Sequence, residues 1–202
     1  YQPRLVVIDL ETLHTLPPNE FRAGLAEVVK YGVIADAELF AFLETNTARI
    51  LSLDNDCLEH IIETSCAIKA EVVEKDERES RYRMVLNFGH TFGHAIEALT
   101  GYTGLLHGEA VAIGMVQAAR LSEETGKCSS EVSKRIIALL EKFGLPTKSP
   151  SLKPSDVIQS MYHDKKTDHG QLRFVLMKDI GSIEIVDDVP EASVKTVLEK
   201  VK

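Results

Sequence analysis

No glycine-rich phosphate loop occurs in this chain: neither Gly-x-Gly-x-x-Gly nor Gly-x-x-x-x-Gly-Lys-Ser/Thr is present. These residues therefore hold no conventional cradle for a dinucleotide pyrophosphate or a nucleoside triphosphate. Cysteine is scarce. Cys57, Cys66 and Cys128 lie far apart and form no Cys-x-x-Cys pair, which excludes a disulfide framework and a thiolate metal knuckle and fits a reducing compartment. No serine or cysteine sits in a recognisable nucleophile motif. No apolar run approaches the ~20 residues that a membrane span needs. No signal peptide opens the sequence, so a cytoplasmic protein without a membrane partner is expected. Basic stripes are also missing. Lys and Arg number 23 against 31 Asp and Glu, a net charge of −8, and the runs Glu74–Glu79 and His163–Lys166 are mixed or short. Nucleic acid needs a basic face and is not an expected partner. There are no internal repeats and no low-complexity segments.

What is present is an ordinary globular composition, 44% hydrophobic over 202 residues, enough to bury a sizeable core. The chain starts at Tyr1 and passes almost at once into Leu5-Val6-Val7-Ile8, read as a short buried strand. That start is expected of the middle of a longer protein. Two prolines at 17–18 then precede Asn19, a capping residue, and Phe21, Leu25, Val28 and Val29 predict a helix over 19–31. Asp36 caps a second helix. Leu58, Ile61, Ile62, Ser65, Ile68 and Val72 predict a long helix over 55–75, followed by a charged loop over 76–83. Further helices are expected over 89–100, 108–125, 130–143 (capped by Ser130 and closed by Gly144), 155–162 and 191–201. Leu172–Met177 and Ser182–Val186 read as a hairpin joined by Lys178-Asp179-Ile180-Gly181. The fold class is mainly α, a multi-helix domain with one small antiparallel β-hairpin.

The chemistry is concentrated in three stretches. In Asn87-Phe88-Gly89-His90-Thr91-Phe92-Gly93-His94, the two histidines are four apart and face one side of a helix, able to share a metal or to divide ligation and proton transfer between them. Gly89 and Gly93 cost ~1 kcal/mol each inside a helix, which points to close packing or ligand approach. His107-Gly108-Glu109 opens a long apolar helix, where His107 either binds something or caps. Glu27 and Lys30 share a helix face among apolar neighbours. A surface ion pair is the bland reading, a buried carboxylate that needs a cation the sharper one. One Glu and two His with an open fourth position make a common catalytic zinc set. Lys69, Arg83, Lys165 and Lys166 supply cationic groups for an acidic substrate, with arginine suited to a bidentate grip on carboxylate or phosphate. The residues alone support a Glu-His-His metal site beside a cationic pocket and leave the reaction open.

These stretches resemble the C-terminal metal-binding part of 3-dehydroquinate synthases. The resemblance rests on Phe21–Gly32, Lys69–Val73, Asp76–Glu79, Arg83–Glu97, His107–Ala112 and His163–Lys166, and runs over nearly the whole chain. It implies the C-terminal half of a two-domain, Rossmann-like plus helical enzyme, with residues 1–17 as an interdomain strand and connection and the NAD-binding half absent from this chain. It implies conversion of a seven-carbon keto-acid phosphate (DAHP) to 3-dehydroquinate and phosphate in the shikimate route, with NAD and Zn2+ (or Co2+), in a homodimer. Glu27, His90 and His107 correspond to the metal ligands, which separates the two neighbouring histidines: His94 becomes a substrate-side proton-transfer group. Lys30 and Glu79 match further catalytic positions. Lys69 and Arg83 match positions holding the substrate carboxylate. Asn87, Lys165 and Lys166 match positions near the phosphate. The resemblance assigns no cofactor-binding residue here, and the 202 residues alone are not expected to complete the reaction. A sister sugar phosphate cyclase such as 2-deoxy-scyllo-inosose synthase is an alternative, disfavoured by Lys69 and Arg83 because its substrate has no carboxylate. A metal-dependent phosphohydrolase with His163 and Asp164 as ligands, and a helical binding module without catalysis, are the readings from other classes.

Overall fold

Apolar residues three and four apart carry most of this chain into helices, and the order of elements follows that periodicity. The computed structural model describes residues 4–76, 82–164 and 172–200. Among them are eight α-helices: α1 (Pro18–Ile34), α2 (Ala37–Leu51), α3 (Asn55–Lys75), α4 (His90–Leu99), α5 (His107–Glu124), α6 (Ser130–Lys142), α7 (Pro154–Asp164) and α8 (Glu191–Lys200). Two strands, β1 (Phe174–Asp179) and β2 (Ser182–Val186), form the antiparallel hairpin. The mainly α class with one small hairpin is the observed fold.

Local chemistry sets the helix starts. Asp36 accepts from the backbone N–H of Glu38 and Leu39 at 2.9 Å each and starts α2, and Asp54 accepts from Cys57 N–H at 3.1 Å and starts α3. α1 begins at Pro18, with Asn19 already inside its first turn. The prolines rather than an asparagine cap set this start, because proline lacks an N–H that the first turn would leave unpaired. At α6 the cap is Ser129, whose hydroxyl accepts from Val132 N–H at 3.4 Å, one residue before the expected Ser130. Gly144 takes a φ of +73° just past the end of α6, the left-handed turn expected of it. The stretch read as a loop over 76–83 is replaced from Tyr82 onward by a 3-10 turn, Tyr82–Asn87; residues 77–81 lie outside the described residues.

Two expectations about strands change. Leu5–Ile8 is exposed, with Leu5 at 78% and Val7 at 80%, and forms no strand. No described strand lies beside it, and an extended run without a partner ladder has neither backbone bonds nor a face to bury. In the hairpin, β1 starts at Phe174 and continues through Lys178 and Asp179, because Ile180-Gly181 alone makes the turn. The register pairs Phe174 with Val186 and Met177 with Ile183, then shifts before Asp179 meets Ser182.

Helix α5 is the axis of the molecule. It touches α1, α4, α6, α8 and β1, and nearly every residue from Gly108 to Leu121 is buried, the pattern of a helix surrounded by protein. Met177 N–H donates to the Ser122 hydroxyl at 3.0 Å and fixes the hairpin on this helix, while Gly181 N–H donates to Val33 carbonyl at 2.9 Å and fixes its turn on α1. Where α5 crosses α1 and α4, glycines stand at the closest approaches. A Cβ at Gly108 would stand 1.9 Å from Ala23 carbonyl oxygen, and one at Gly114 would stand 2.0 Å from Gly89 carbonyl oxygen. Gly89 itself adopts a φ of +80° at the start of α4. The glycines expected to serve close packing do so. These backbone-to-backbone crossings bring the first turns of α4 and α5 against the middle of α1.

Candidate metal centre and cationic pocket

Glu27 and Lys30 stand one turn apart on the face of α1 that meets this crossing. Lys30 is buried at 4% exposure, and its Nζ donates to Glu27 Oε2 at 2.5 Å. The pair is thus no solvated surface bridge. Burial pushes the Glu27 carboxyl upward, but the His90 contact and the Lys30 ammonium outweigh it and hold the group down to about 2. The second oxygen, Oε1, is buried and has no hydrogen-bond partner. An ionised oxygen in that position is costly unless a cation or donor faces it.

Two imidazoles face it. His90 is the first residue of α4, and its Nδ1 lies 3.2 Å from Phe88 carbonyl oxygen. A carbonyl only accepts, so Nδ1 carries a proton; Nε2, 3.4 Å from Glu27 Oε1, faces that carboxylate with a second N–H in the protonated ring and offers its lone pair to a metal in the neutral one. His107 is the first residue of α5 and presents Nε2 at 4.0 Å from the same oxygen. His107 does not act as a cap, since Glu109 reaches back to accept from Leu106 N–H at 2.9 Å and fills that role. One donor atom from each of Glu27, His90 and His107 falls within 4.8 Å of the others. Two ligands of a tetrahedral zinc ion, each ~2.1 Å from it, stand ~3.4 Å apart, so this set fits a divalent ion with little adjustment. Two imidazole nitrogens and one carboxylate oxygen also suit Zn2+ and Co2+ by donor type.

His94, one turn further along α4, does not join that group. Its ring centroid is 5.4 Å from that of His90 and 6.1 Å from that of His107, and its donor atoms group with Glu97 and His107. Spacing alone would pair His90 with His94; the helix crossing pairs His90 with His107.

A pocket of about 410 Å³ opens directly beside Glu27, lined by Glu27, Lys30, Tyr31, Lys69, Arg83 and Asn87 among others, with His90 at its edge. It collects three cations against one carboxylate, a field suited to an acidic ligand. Arg83 is positioned through its backbone: Arg83 N–H donates to Asp76 Oδ2 at 3.0 Å, which ties the turn to the end of α3. Burial, reinforced by the Glu27 charge, raises the Tyr31 phenol and keeps it a neutral donor. A second hollow on the other side of α4 is lined by His94, Glu97, Tyr102 and His163. His163 joins neither group of donors, and the side chain of Asp164 lies outside what is described. Glu79, Lys165 and Lys166 also lie outside the described residues. Sequence reasoning missed Tyr31 as a lining group and Glu97 as a neighbour of His107. The available signal for Glu97 was its position three residues after His94, on the same helix face.

Residues 24–167 match the family model for the 3-dehydroquinate synthase C-terminal region. The chain is 55% identical over 201 residues to the 3-dehydroquinate synthase of Desulforamulus reducens, covering 99% of this chain and 56% of that protein. It is 53% identical over 185 residues to that of Geotalea uraniireducens, covering 92% and 51%. The chain spans about half the length of the curated relatives it matches. Among solved structures, 2-epi-5-epi-valiolone synthase from Streptomyces hygroscopicus subsp. jinggangensis, with NAD+ and Zn2+ bound, superposes with a TM-score of 0.89 at 26% identity, covering 96% of this chain and 54% of that one. A 2-deoxy-scyllo-inosose synthase complexed with carbaglucose-6-phosphate, NAD+ and Co2+ gives 0.80 at 26% identity, covering all of this chain and 57% of that one.

Proposed function

The chain belongs to the 3-dehydroquinate synthase family, and from that premise we propose that it supplies the metal centre and most of the substrate site of an enzyme converting DAHP to 3-dehydroquinate and phosphate. The observation that carries the proposal is Glu27 Oε1, buried and unbonded, facing two imidazole nitrogens beside a pocket of lysines and arginine. Glu27, His90 and His107 hold a divalent ion, Zn2+ or Co2+, which when bound supplies Lewis acidity toward substrate hydroxyls. NAD carries the hydride and is held mainly by a region outside this chain, in keeping with the missing glycine-rich loop.

The remaining roles fall to the chain's own groups. Lys69 and Arg83 grip the substrate carboxylate, Arg83 with its planar fork. Asn87 orients the phosphate end, joined on the family resemblance by Lys165 and Lys166. Lys30 fixes the Glu27 carboxylate, so the ligand oxygen keeps its direction when the pocket fills. His94 stands beside both imidazoles of the donor cluster and is the group to take up or deliver a proton, with Glu79 assisting through water. The same reading makes the working enzyme a cytoplasmic homodimer of the shikimate route; among the described residues no helix is long and apolar enough to cross a membrane.

The competing reading is a sister cyclase acting on a sugar phosphate without a carboxylate. The juxtaposition of Lys69 and Arg83 in one pocket, and relatives near 55% identity, favour the dehydroquinate activity. Zinc titration by calorimetry tests the centre: one ion per chain is expected, lost in Glu27→Gln, His90→Ala and His107→Ala alike. Absence of zinc binding, or binding indifferent to all three changes, would overturn it. In the enzyme that contains this chain, Arg83→Ala should impair a carboxylate substrate far more than a carboxylate-free analogue; equal losses would favour the sister activity.

A further inference from the structure

His107 is shared by two overlapping groups of possible metal donors, Glu27/His90/His107 and His94/Glu97/His107. A single imidazole cannot serve both with the same nitrogen, so some contact must decide between them. His107 Nδ1 lies 3.1 Å from Glu97 Oε1, and Glu97 comes from α4 with its residue only 9% exposed. With the carboxylate oxygen as acceptor, Nδ1 is the donor of this contact and carries the hydrogen. The lone pair is then confined to Nε2, the atom that faces Glu27 Oε1 at 4.0 Å. His90 has the same arrangement through Phe88 carbonyl oxygen.

We infer that Glu97 is the positioning residue for His107, and that its contact with Nδ1 assigns the metal to Glu27, His90 and His107 while removing His94/Glu97/His107 as a second metal site. The inference rests on the metal reading above. Its physical basis is the exposure of His107, whose side chain is 52% accessible. A ring so open to water is held by few packing contacts, so its orientation depends on the one bond its other nitrogen makes. His90, with its side chain 13% exposed, is held by packing as well and depends less on its anchor. Glu97 can fill this role because α4 and α5 meet at backbone contact through Gly93, where a Cβ would lie 3.1 Å from Ala110 carbonyl oxygen.

The test compares Glu97→Ala and Glu97→Gln with the unsubstituted chain, reading zinc affinity by chelator competition and ligand geometry by the visible spectrum of the Co2+ form. Glu97→Ala should weaken zinc binding about 10- to 100-fold, the range typical of an anchor behind a metal-bound histidine, and leave the cobalt band positions unchanged. Glu97→Gln keeps an accepting oxygen at the same reach and should recover part of that loss. Thermal melting of the metal-free proteins checks the fold, and Glu97→Gln carries the comparison if Glu97→Ala does not fold. Unchanged affinity in the folded variants overturns the inference. So does a shifted cobalt spectrum with a loss as complete as that of His107→Ala, because Glu97 would then be a ligand. If the unsubstituted chain binds no zinc, the metal reading itself falls, an outcome distinct from the other two.

Discussion

Carboxylate–cation pairs occur in two settings in this molecule, and their burial separates their uses. Around the outer layer, Arg135 meets Glu44 at 2.7 Å and Lys200 meets Glu124 at 2.9 Å, with side chains between 27% and 67% exposed. Water competes for each of these charges, and such pairs contribute only ~0.2–1 kcal/mol. At the crossing of α1, α4 and α5, the pair Glu27–Lys30 has its ammonium buried and leaves one carboxylate oxygen unbonded. There the ammonium is kept out of water and one buried carboxylate oxygen is left unsatisfied, which suits a site better than a strut. Packing differs in the same way. The β1 residues Phe174–Met177 are seated on α5 with full side chains, whereas the inner crossing places glycines where backbones meet.

The sharpest way to break this contrast is at the glycines. Gly114→Ala should cost about 3 kcal/mol or more, because its Cβ would press on the Gly89 carbonyl and neither backbone can yield cheaply. Gly24→Ala, in α1 with nothing within 4 Å of the added carbon, should instead stabilise by about 0.5–1 kcal/mol. Urea midpoints of the two variants measure the difference, and similar values would remove the distinction between a crossing glycine and an incidental one.

Lys30→Met comes next, with an expected loss of about 1–3 kcal/mol in the metal-free chain and recovery when zinc is added. Glu27 is held down to about 2 against an ordinary 4.5, so its stabilisation is complete above 4.5 and fades as pH falls through about 2. Removing Lys30 should move that acid edge upward, visible in melting temperatures measured from pH 2 to 6. In the outer layer, Arg135→Ala, which also takes the guanidinium off the Phe40 ring at 5.4 Å, should cost no more than about 1 kcal/mol. A larger loss there than at Lys30 would invert the comparison.

The smallest effect is chemical. Cys66 is exposed on α3, whereas burial, aided by the Glu123 and Asp179 charges, pushes the Cys128 thiol up to about 11. Iodoacetamide at pH 8 should mark Cys66 first, with labelling of Cys128 accelerating as pH approaches 11; peptide mass mapping reads the order.

Much of this architecture is local and was legible in the residues. Helix α3 begins and ends where its periodicity places it, and Asp36 caps where a capping residue is expected. Ser129 and Ser130 offer the same hydroxyl one residue apart, so spacing could not choose between them. Leu5–Ile8 has the composition of a strand, but a strand requires a neighbour that a run of four residues cannot specify. In the site, the apolar surroundings of Glu27 and Lys30 pointed to burial, which holds for Lys30 and for one Glu27 oxygen, while the Glu27 side chain as a whole is half-buried. The grouping of His90 with His107 rather than His94 came from the family resemblance, since a helical repeat reports neighbours on one helix and not distances across two. Glu97 was missed for the same reason: its partner lies ten residues away on another helix.

The absent side chains at Gly108 and Gly114 have one more consequence. Helices in backbone contact have little room to slide against one another, so α5 holds α1 on one side and α4 on the other at a fixed spacing. The wall that bears Arg83 and Asn87, the Tyr82–Asn87 turn, is seated on that frame: it packs against α1, α3 and both strands of the hairpin, and the Asp76 carboxylate ties it to the end of α3.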